Sequence, residues 1–287
     1  MAERVIVTKG AELCTESFGA PTDPAILLVH GMGASMLWWE DGFCHRLAAA
    51  GRFVIRYDHR DTGRSVTYEP GRPGYTVADM VADGAGVLDG YDVPVAAVVG
   101  VSAGGALAQL LALDFPDRVR SLVLVSTSPA TPGDRGLPAS TEAFRSFVAT
   151  AEVDWWDPES VIEYLVDYSR VLAGDQRPFD EAWCRALVRR DVERARSVAA
   201  LQNHEVVPDG ERSFDALSSI TVPTLVMHGT ADPMFPPRHA EALAAEIPDA
   251  RLLLLNGAGH GIDRADWDTV VPAIVDHTAP TDPPGAA

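Results

Sequence analysis

Lysine is almost missing from this chain. Lys9 is the only one, and the other basic side chains are arginines scattered without a stripe or cluster. With a formal net charge of −18, no patch is predicted that could neutralise a phosphate backbone, so nucleic-acid binding is excluded. The acidity is read as a source of solubility. Cysteine is equally sparse. Cys14, Cys44 and Cys184 are scattered and odd in number, which argues against a disulfide framework and against a zinc ligand set. They read as small hydrophobes. No apolar run approaches the length needed to cross a bilayer, and the opening M-A-E-R-V-I-V-T-K lacks the apolar stretch of a secretory signal. The expectation is a cytoplasmic protein that engages neither membrane nor nucleic acid.

The remaining composition describes a globular domain. The 287 residues are 47% hydrophobic, enough for one α/β domain with an insertion. Residues 4–8 and 11–18 read as a hairpin turning at Lys9-Gly10. Residues 25–29, 52–57, 95–101, 121–126, 221–228 and 251–255 read as strands, several of them apolar on both faces. Helical patterns separate them, over about 36–50, 75–88, 103–111, 237–247 and 267–277. This alternation predicts a mostly parallel, doubly wound sheet. Residues 1–128 and 219–278 would form that core. After a breaker-rich loop at 129–138, only helical signals follow, over 141–152, 158–172 and 179–201 with a break. Residues 129–218 are therefore read as an inserted helical cap. The tail 279–287, A-P-T-D-P-P-G-A-A, cannot bury apolar area and is expected to be disordered.

In such sheets the chemistry sits where strands end at their carboxyl side. The strand at 95–101 runs into Gly100-Val101-Ser102-Ala103-Gly104, a Gly-x-Ser-x-Gly turn followed by a helix. A serine there takes a strained conformation that holds its hydroxyl clear, and the glycines let strand and helix pass closely. Two further candidates also follow predicted strands: Asp232 in Gly229-Thr230-Ala231-Asp232, and His260 in N-G-A-G-H-G. Histidine can take the serine's proton near neutrality, and an aspartate can fix its tautomer. The order Ser102, Asp232, His260 is that of a known hydrolase arrangement. His45, His239 and His277 fall in helical segments, His204 at a helix end in the cap, and His59 and His228 at strand-end or loop positions. His30 opens the loop after the strand at 25–29. Asp263 and Asp266 read as helix caps. An oxyanion would be met by the backbone N–H of Ala103 and of Met32, in the loop His30-Gly31-Met32-Gly33. Trp38, Trp39, Trp155 and Trp156 are the candidates for a substrate pocket, with packing as the alternative reading.

These motifs carry a resemblance. With His30-Gly31-x-Gly33, Asp58-x-Arg60-x-x-Gly63-x-Ser65, Gly100-x-Ser102-x-Gly104, Gly229-x-x-Asp232 and Gly259-His260, the chain resembles the α/β-hydrolases over essentially its whole length. The runs V-I-R-Y-D-H-R-D-T-G-R-S and D-P-A-I-L-L-V resemble the anthracycline (aclacinomycin) methylesterases. The His30-Gly31 ending and a shorter cap depart from that branch, so the resemblance covers the core better than the substrate-contacting part. It implies a serine hydrolase that cleaves a carboxylic ester through an acyl-enzyme. The substrate would be a small alkyl ester of an aromatic or polyketide-like acid, with water as partner and with no cofactor or metal. The same triad could instead serve a lactonase, a carbon–carbon bond hydrolase or a cofactor-free perhydrolase. A non-catalytic ligand-binding relative is a further alternative. Oligomeric state stays open between monomer and weak dimer.

Overall fold

The computed structural model describes residues 3–211 and 215–279. The tail predicted to be disordered lies outside the described residues except for Ala279, as do residues 212–214 of the insertion. Among the described residues, one sheet of eight strands has the order β1-β2-β4-β3-β5-β6-β7-β8. Strands β1 (Arg4–Thr8) and β2 (Ala11–Phe18) form the predicted antiparallel hairpin, and Lys9 and Gly10 both turn it with positive φ. From β4 (Phe53–Tyr57) and β3 (Ala25–Val29) through β5 (Ala96–Val101), β6 (Val119–Val125) and β7 (Thr224–Gly229) to β8 (Arg251–Leu255), every pairing is parallel. Strands β3, β4, β5 and β7 are buried at every residue, as their two-sided apolar sequences require.

Helices cover both faces. On one lie α2 (Val77–Gly90), α3 (Ala103–Asp114) and α8 (Arg238–Glu246), which bury Val87, Leu88, Leu107, Leu111 and Leu243 against Leu27, Ile55 and Val98. On the other, α1 (Asp41–Ala49) and α9 (Trp267–His277) bury Phe43, Leu47, Val270 and Ile274 against Ile26, Val54 and Val99. Each such aliphatic side chain contributes about 2 kcal/mol on leaving water. The predicted doubly wound α/β sheet is thus the observed one.

Some boundaries differ from the expectation. The single helix predicted over 36–50 is instead a 3₁₀ turn, Met36–Trp38, followed by α1. Tertiary polar groups hold the start of the turn and the carbonyl that follows it. Asp58 Oδ1 accepts the Met36 N–H at 2.8 Å, and the Trp39 carbonyl accepts from the Arg56 guanidinium. Strand β7 begins at Thr224 rather than 221, because Pro223 has no N–H for the ladder. Helix α2 begins at Val77, behind a capping box of Thr76 and Asp79.

Between β6 and β7 lie α4 (Glu142–Thr150), α5 (Pro158–Leu172), α6 (Glu181–Arg194), a 3₁₀ turn at Ala199–Gln202 and the short α7 (Asn203–Val206). The break expected within 179–201 falls after Arg194, beyond which the chain resumes as separate short turns. Helices α5 and α6 share a small apolar cluster of Val161, Ile162, Val166, Cys184, Val188 and Val192. No helix among the described residues is long and apolar enough to cross a membrane.

Candidate active site

Strand β5 ends at Val101, and the next residue departs sharply from strand geometry. Ser102 has φ 55° and ψ −125°, conformations that a non-glycine residue adopts only when its surroundings enforce them. The surroundings do so. A Cβ at Gly100 would overlap the Gly104 carbonyl, and one at Gly104 would overlap the carbonyls of Val29 and His30. Bare Cα atoms at these two positions let α3 start directly above β5. The Ser102 N–H is held by the Val125 carbonyl at 2.9 Å, and the Ser102 carbonyl accepts from Thr127 Oγ1 at 2.7 Å. The serine thus sits at the N-terminus of α3, where free N–H groups favour negative charge.

Asp232 and His260 arrive from the ends of β7 and β8. The two strands pair in parallel through Gly229 and Leu255, so the loops after them emerge side by side. His260 Nδ1 lies 2.8 Å from Asp232 Oδ2. Asp232 Oδ1 accepts the N–H groups of Met234 and Phe235, both at 2.9 Å, and the aspartate side chain is fully buried. These donors fix the carboxylate in place. With His260 Nδ1–H committed to it, Nε2 is left as the basic nitrogen. The loop bearing His260 is tied beside β6, because Gly261 N donates to Ser126 Oγ at 2.9 Å. Ser126 follows Val125, which holds Ser102 N, so the structure brings the ends of β5, β6 and β8 together.

The loop after β3 completes the rim. A Cβ on Gly31 would stand 3.2 Å from Ser102 Cβ and 3.7 Å from Ser102 Oγ. Three histidines organise this loop. His30 Nδ1 accepts the Gly31 N–H at 2.7 Å. His59 Nε2 donates to the His30 carbonyl at 2.9 Å. His204 Nδ1 accepts the Gly33 N–H at 2.9 Å, while its Nε2 donates to the Arg60 carbonyl at 2.7 Å. Burial pushes all three toward the neutral form: His30 down to about 3, helped by His59 and His260, and His59 down to about 4, helped by His204. His204 is lowered as well, again chiefly by desolvation. Gly31 and Gly33 have their N–H groups engaged. The N–H groups of Met32 between them and of Ala103 at the start of α3 have no acceptor among the described residues.

A cavity of about 430 Å³ opens against these groups. Gly31, Met32 and Ala103 lie on its wall, and Val77, Met80, Leu107, Leu110, Pro132 and Val207 make it apolar. Its size and lining fall within the range of small-molecule sites. The four tryptophans singled out from the sequence do not line it. Trp39 is buried and stacks on Phe43 in the core. Trp38 donates through Nε1 to Asp191 Oδ2 at 2.8 Å, joining the 3₁₀ turn to α6. Trp155 packs edge-on against Tyr164 of α5, and Trp156 is exposed to solvent. In place of the pocket reading, Trp38, Trp39 and Trp155 make packing or hydrogen-bond contacts, and Trp156 lies on the surface. The residues that do line the cavity come from α2, α3, the loops after β3, β4 and β6 and the segment around α7. Only folding brings those elements together, and no spacing in the sequence announces it.

Comparison with known proteins agrees with this fold. The alpha/beta hydrolase fold family matches residues 24–262. A rhodomycin D methylesterase of Streptomyces sp. (strain C5) is 34% identical over 296 residues, covering 97% of this chain and 98% of its own. One from Streptomyces peucetius is 34% identical with the same coverage. Among solved structures, an esterase from Exiguobacterium antarcticum superposes with a TM-score of 0.76 at 22% identity, covering 96% of this chain and 98% of its own. A meta-cleavage product hydrolase from Pseudomonas fluorescens IP01 superposes with a TM-score of 0.75 at 20% identity, covering 96% of each chain. These two show the shared fold. The resemblance to methylesterases seen in the sequence is borne out.

Proposed function

The chain belongs to the α/β-hydrolase family, and from that premise we propose that it is a carboxylic ester hydrolase working through Ser102, His260 and Asp232. The observation that carries this reading is the convergence of the three at the carboxyl ends of β5, β7 and β8, with His260 Nδ1 on a buried Asp232 and Nε2 left free. Ser102 Oγ attacks the ester carbonyl carbon while His260 Nε2 takes its proton. The carbonyl electron pair moves to oxygen, where the N–H groups of Met32 and Ala103 receive it. Collapse expels the alcohol, protonated by His260, and leaves Ser102 acylated. Water then repeats the sequence to release the acid. Asp232 accepts the Nδ1–H throughout and stabilises the imidazolium.

The substrate follows from the cavity. Apolar walls of Val77, Met80, Leu107, Leu110 and Val207 suit a flat hydrophobic acyl group, with the small ester end turned toward Ala103 and Met32. The methylesterase relatives point to the same alcohol size. The helical insertion, which supplies Val207 and His204, acts as a cap over this space. We therefore assign a small alkyl ester of an aromatic or polyketide-like acid. The test is a panel of aromatic methyl esters, short p-nitrophenyl esters, lactones and long-chain triglycerides, compared by kcat/KM. Aromatic methyl esters and short esters should lead. Fastest turnover of triglycerides would overturn the pocket reading.

A further inference from the structure

Among the described residues of the insertion, a histidine hydrogen-bonds to the glycine that follows Met32. His204 sits in α7, 171 positions from Gly33 in the chain, yet its Nδ1 accepts the Gly33 N–H at 2.9 Å. Its other nitrogen donates to the Arg60 carbonyl at 2.7 Å, in the loop after β4. The ring is buried, and its neighbour Asn203 anchors the same turn by donating to Asp61 Oδ2 at 2.9 Å. Asp61 is itself held by the Tyr75 hydroxyl at 2.7 Å and by the Tyr68 N–H at 2.6 Å. The short helix is therefore docked at three points.

The two bonds of His204 fix its tautomer. The Arg60 carbonyl offers only lone pairs, so Nε2 must carry the hydrogen. Gly33 offers only an N–H, so Nδ1 must be bare. The consequence falls on Met32. Peptide units are planar, so anchoring the Gly31 N–H on His30 and the Gly33 N–H on His204 fixes the peptide units flanking that of Met32. The intervening Met32 N–H is then aimed by its neighbours. Gly33 has φ +67°, which a side chain would strain, and its N–H is held by the His204 contact.

We propose that His204 is a positioning residue for the oxyanion hole, by which the docked insertion sets the direction of the Met32 N–H. This rests on the assignment of Met32 and Ala103 as oxyanion donors. An interaction of this kind acts where charge develops, so it belongs to kcat more than to KM.

Two substitutions separate the roles of the two nitrogens. His204→Asn keeps an acceptor at the Nδ1 position and gives up the bond to Arg60. His204→Gln keeps a donor at the Nε2 position and gives up the acceptor for Gly33. With p-nitrophenyl acetate as substrate, Gln should lower kcat about tenfold or more with KM within about twofold, while Asn stays within about threefold of the parent. A residue that merely packed α7 would make the two variants equally poor, and that outcome overturns the proposal, as does an effect confined to KM. A measurement on the unsubstituted protein stands even where a variant misfolds. Long-range ¹H–¹⁵N spectra of His204 at neutral pH should show Nδ1 unprotonated and Nε2 protonated, and the opposite tautomer overturns the proposal. Parent hydrolysis that is abolished by Ser102→Ala verifies the underlying reading. Activity that survives Ser102→Ala sinks that reading and the proposal with it, whereas equal Asn and Gln variants in a Ser102-dependent enzyme sink the proposal alone.

Discussion

The sheet and the helical insertion are held together by opposite means. In the sheet, Ile26, Leu27, Leu28, Val98 and Val99 are sealed from water, and apolar layers on both faces are continuous. Among the described residues, the insertion holds a small apolar cluster between α5 and α6 and aromatic contacts between α4 and α5. Much of its seam with the sheet is polar. Arg194 pairs with the buried Asp58 at 2.8 Å, Trp38 with Asp191, Asn203 with Asp61, and His204 with Gly33 and Arg60. The Leu172 carbonyl, the last of α5, accepts the N–H of His260 at 2.8 Å. Apolar burial is non-directional and sets stability, whereas directional bonds set angles at modest net stabilisation. The sheet therefore fixes where Ser102, Asp232 and His260 stand, and the seam adjusts the groups around them.

The largest effects should come from the residues on the sheet. Ser102→Ala should lower kcat on the order of a million-fold, as in the subtilisin series, and Asp232→Asn roughly ten-thousand-fold, as when a serine protease loses the correct histidine tautomer. Both variants should melt within a few degrees of the parent, and steady-state kinetics with thermal melting check this. A mild loss in Asp232→Asn would move the acid's role to another residue, with Asp263 the first to test.

Two glycines sharpen the contrast. A Cβ at Gly104 meets backbone carbonyls inside the sheet, while one at Gly259 meets the backbone of Leu172 and Ala173 in the seam. Gly104→Ala should cost roughly 3 kcal/mol of stability or prevent folding, since backbone there cannot yield. Gly259→Ala should push α5 away and disturb the His260 loop, lowering activity at least about tenfold for a stability loss of about 1 kcal/mol. Denaturant melts and kcat measured on both would reject the contrast if the losses were alike.

Acid should act next. His30 and His59 are held neutral by burial, at about 3 and about 4, below the free value of about 6.5. The unfolded chain then binds more protons than the folded one between those values. Stability is full above about pH 6.5, declines as the pH falls below it, and is fully lost from these groups only below the folded values, at up to about 1.4 kcal/mol per pH unit for each. Melting temperatures from pH 7 to 4.5 should fall accordingly, and an unchanged value would contradict the burial of these rings. The smallest effect is expected at Trp156, which is solvent-exposed. Trp156→Ala should change stability by less than about 0.5 kcal/mol and leave KM unaltered.

The two regions also differed in how far the sequence announced them. Ser102, Asp232 and His260 could be located because each follows a strand whose apolar run is visible by itself, and because the glycines around Ser102 and before His260 record close backbone approaches. The cavity could not. Val77, Met80, Leu110 and Val207 look like ordinary helix or loop residues until folding gathers them. The tryptophans misled because aromatic size signals burial without saying which surface buries it: Trp39 packs into the core and Trp38 spends its N–H on Asp191. His204 was visible only as a helix-end histidine, since its partners Gly33 and Arg60 lie more than 140 residues away. The helix predicted over 36–50 failed for a related reason, because Arg56 from elsewhere in the chain takes the Trp39 carbonyl that would have continued it.

The central claim is that Ser102 is the nucleophile of an acyl-enzyme. Peptide mass spectrometry after reaction with a fluorophosphonate tests it most directly. One phosphonyl adduct should appear, on Ser102, with activity lost in proportion, and it should disappear in Ser102→Ala. An adduct on another residue, or full activity with Ser102 modified, would contradict the account.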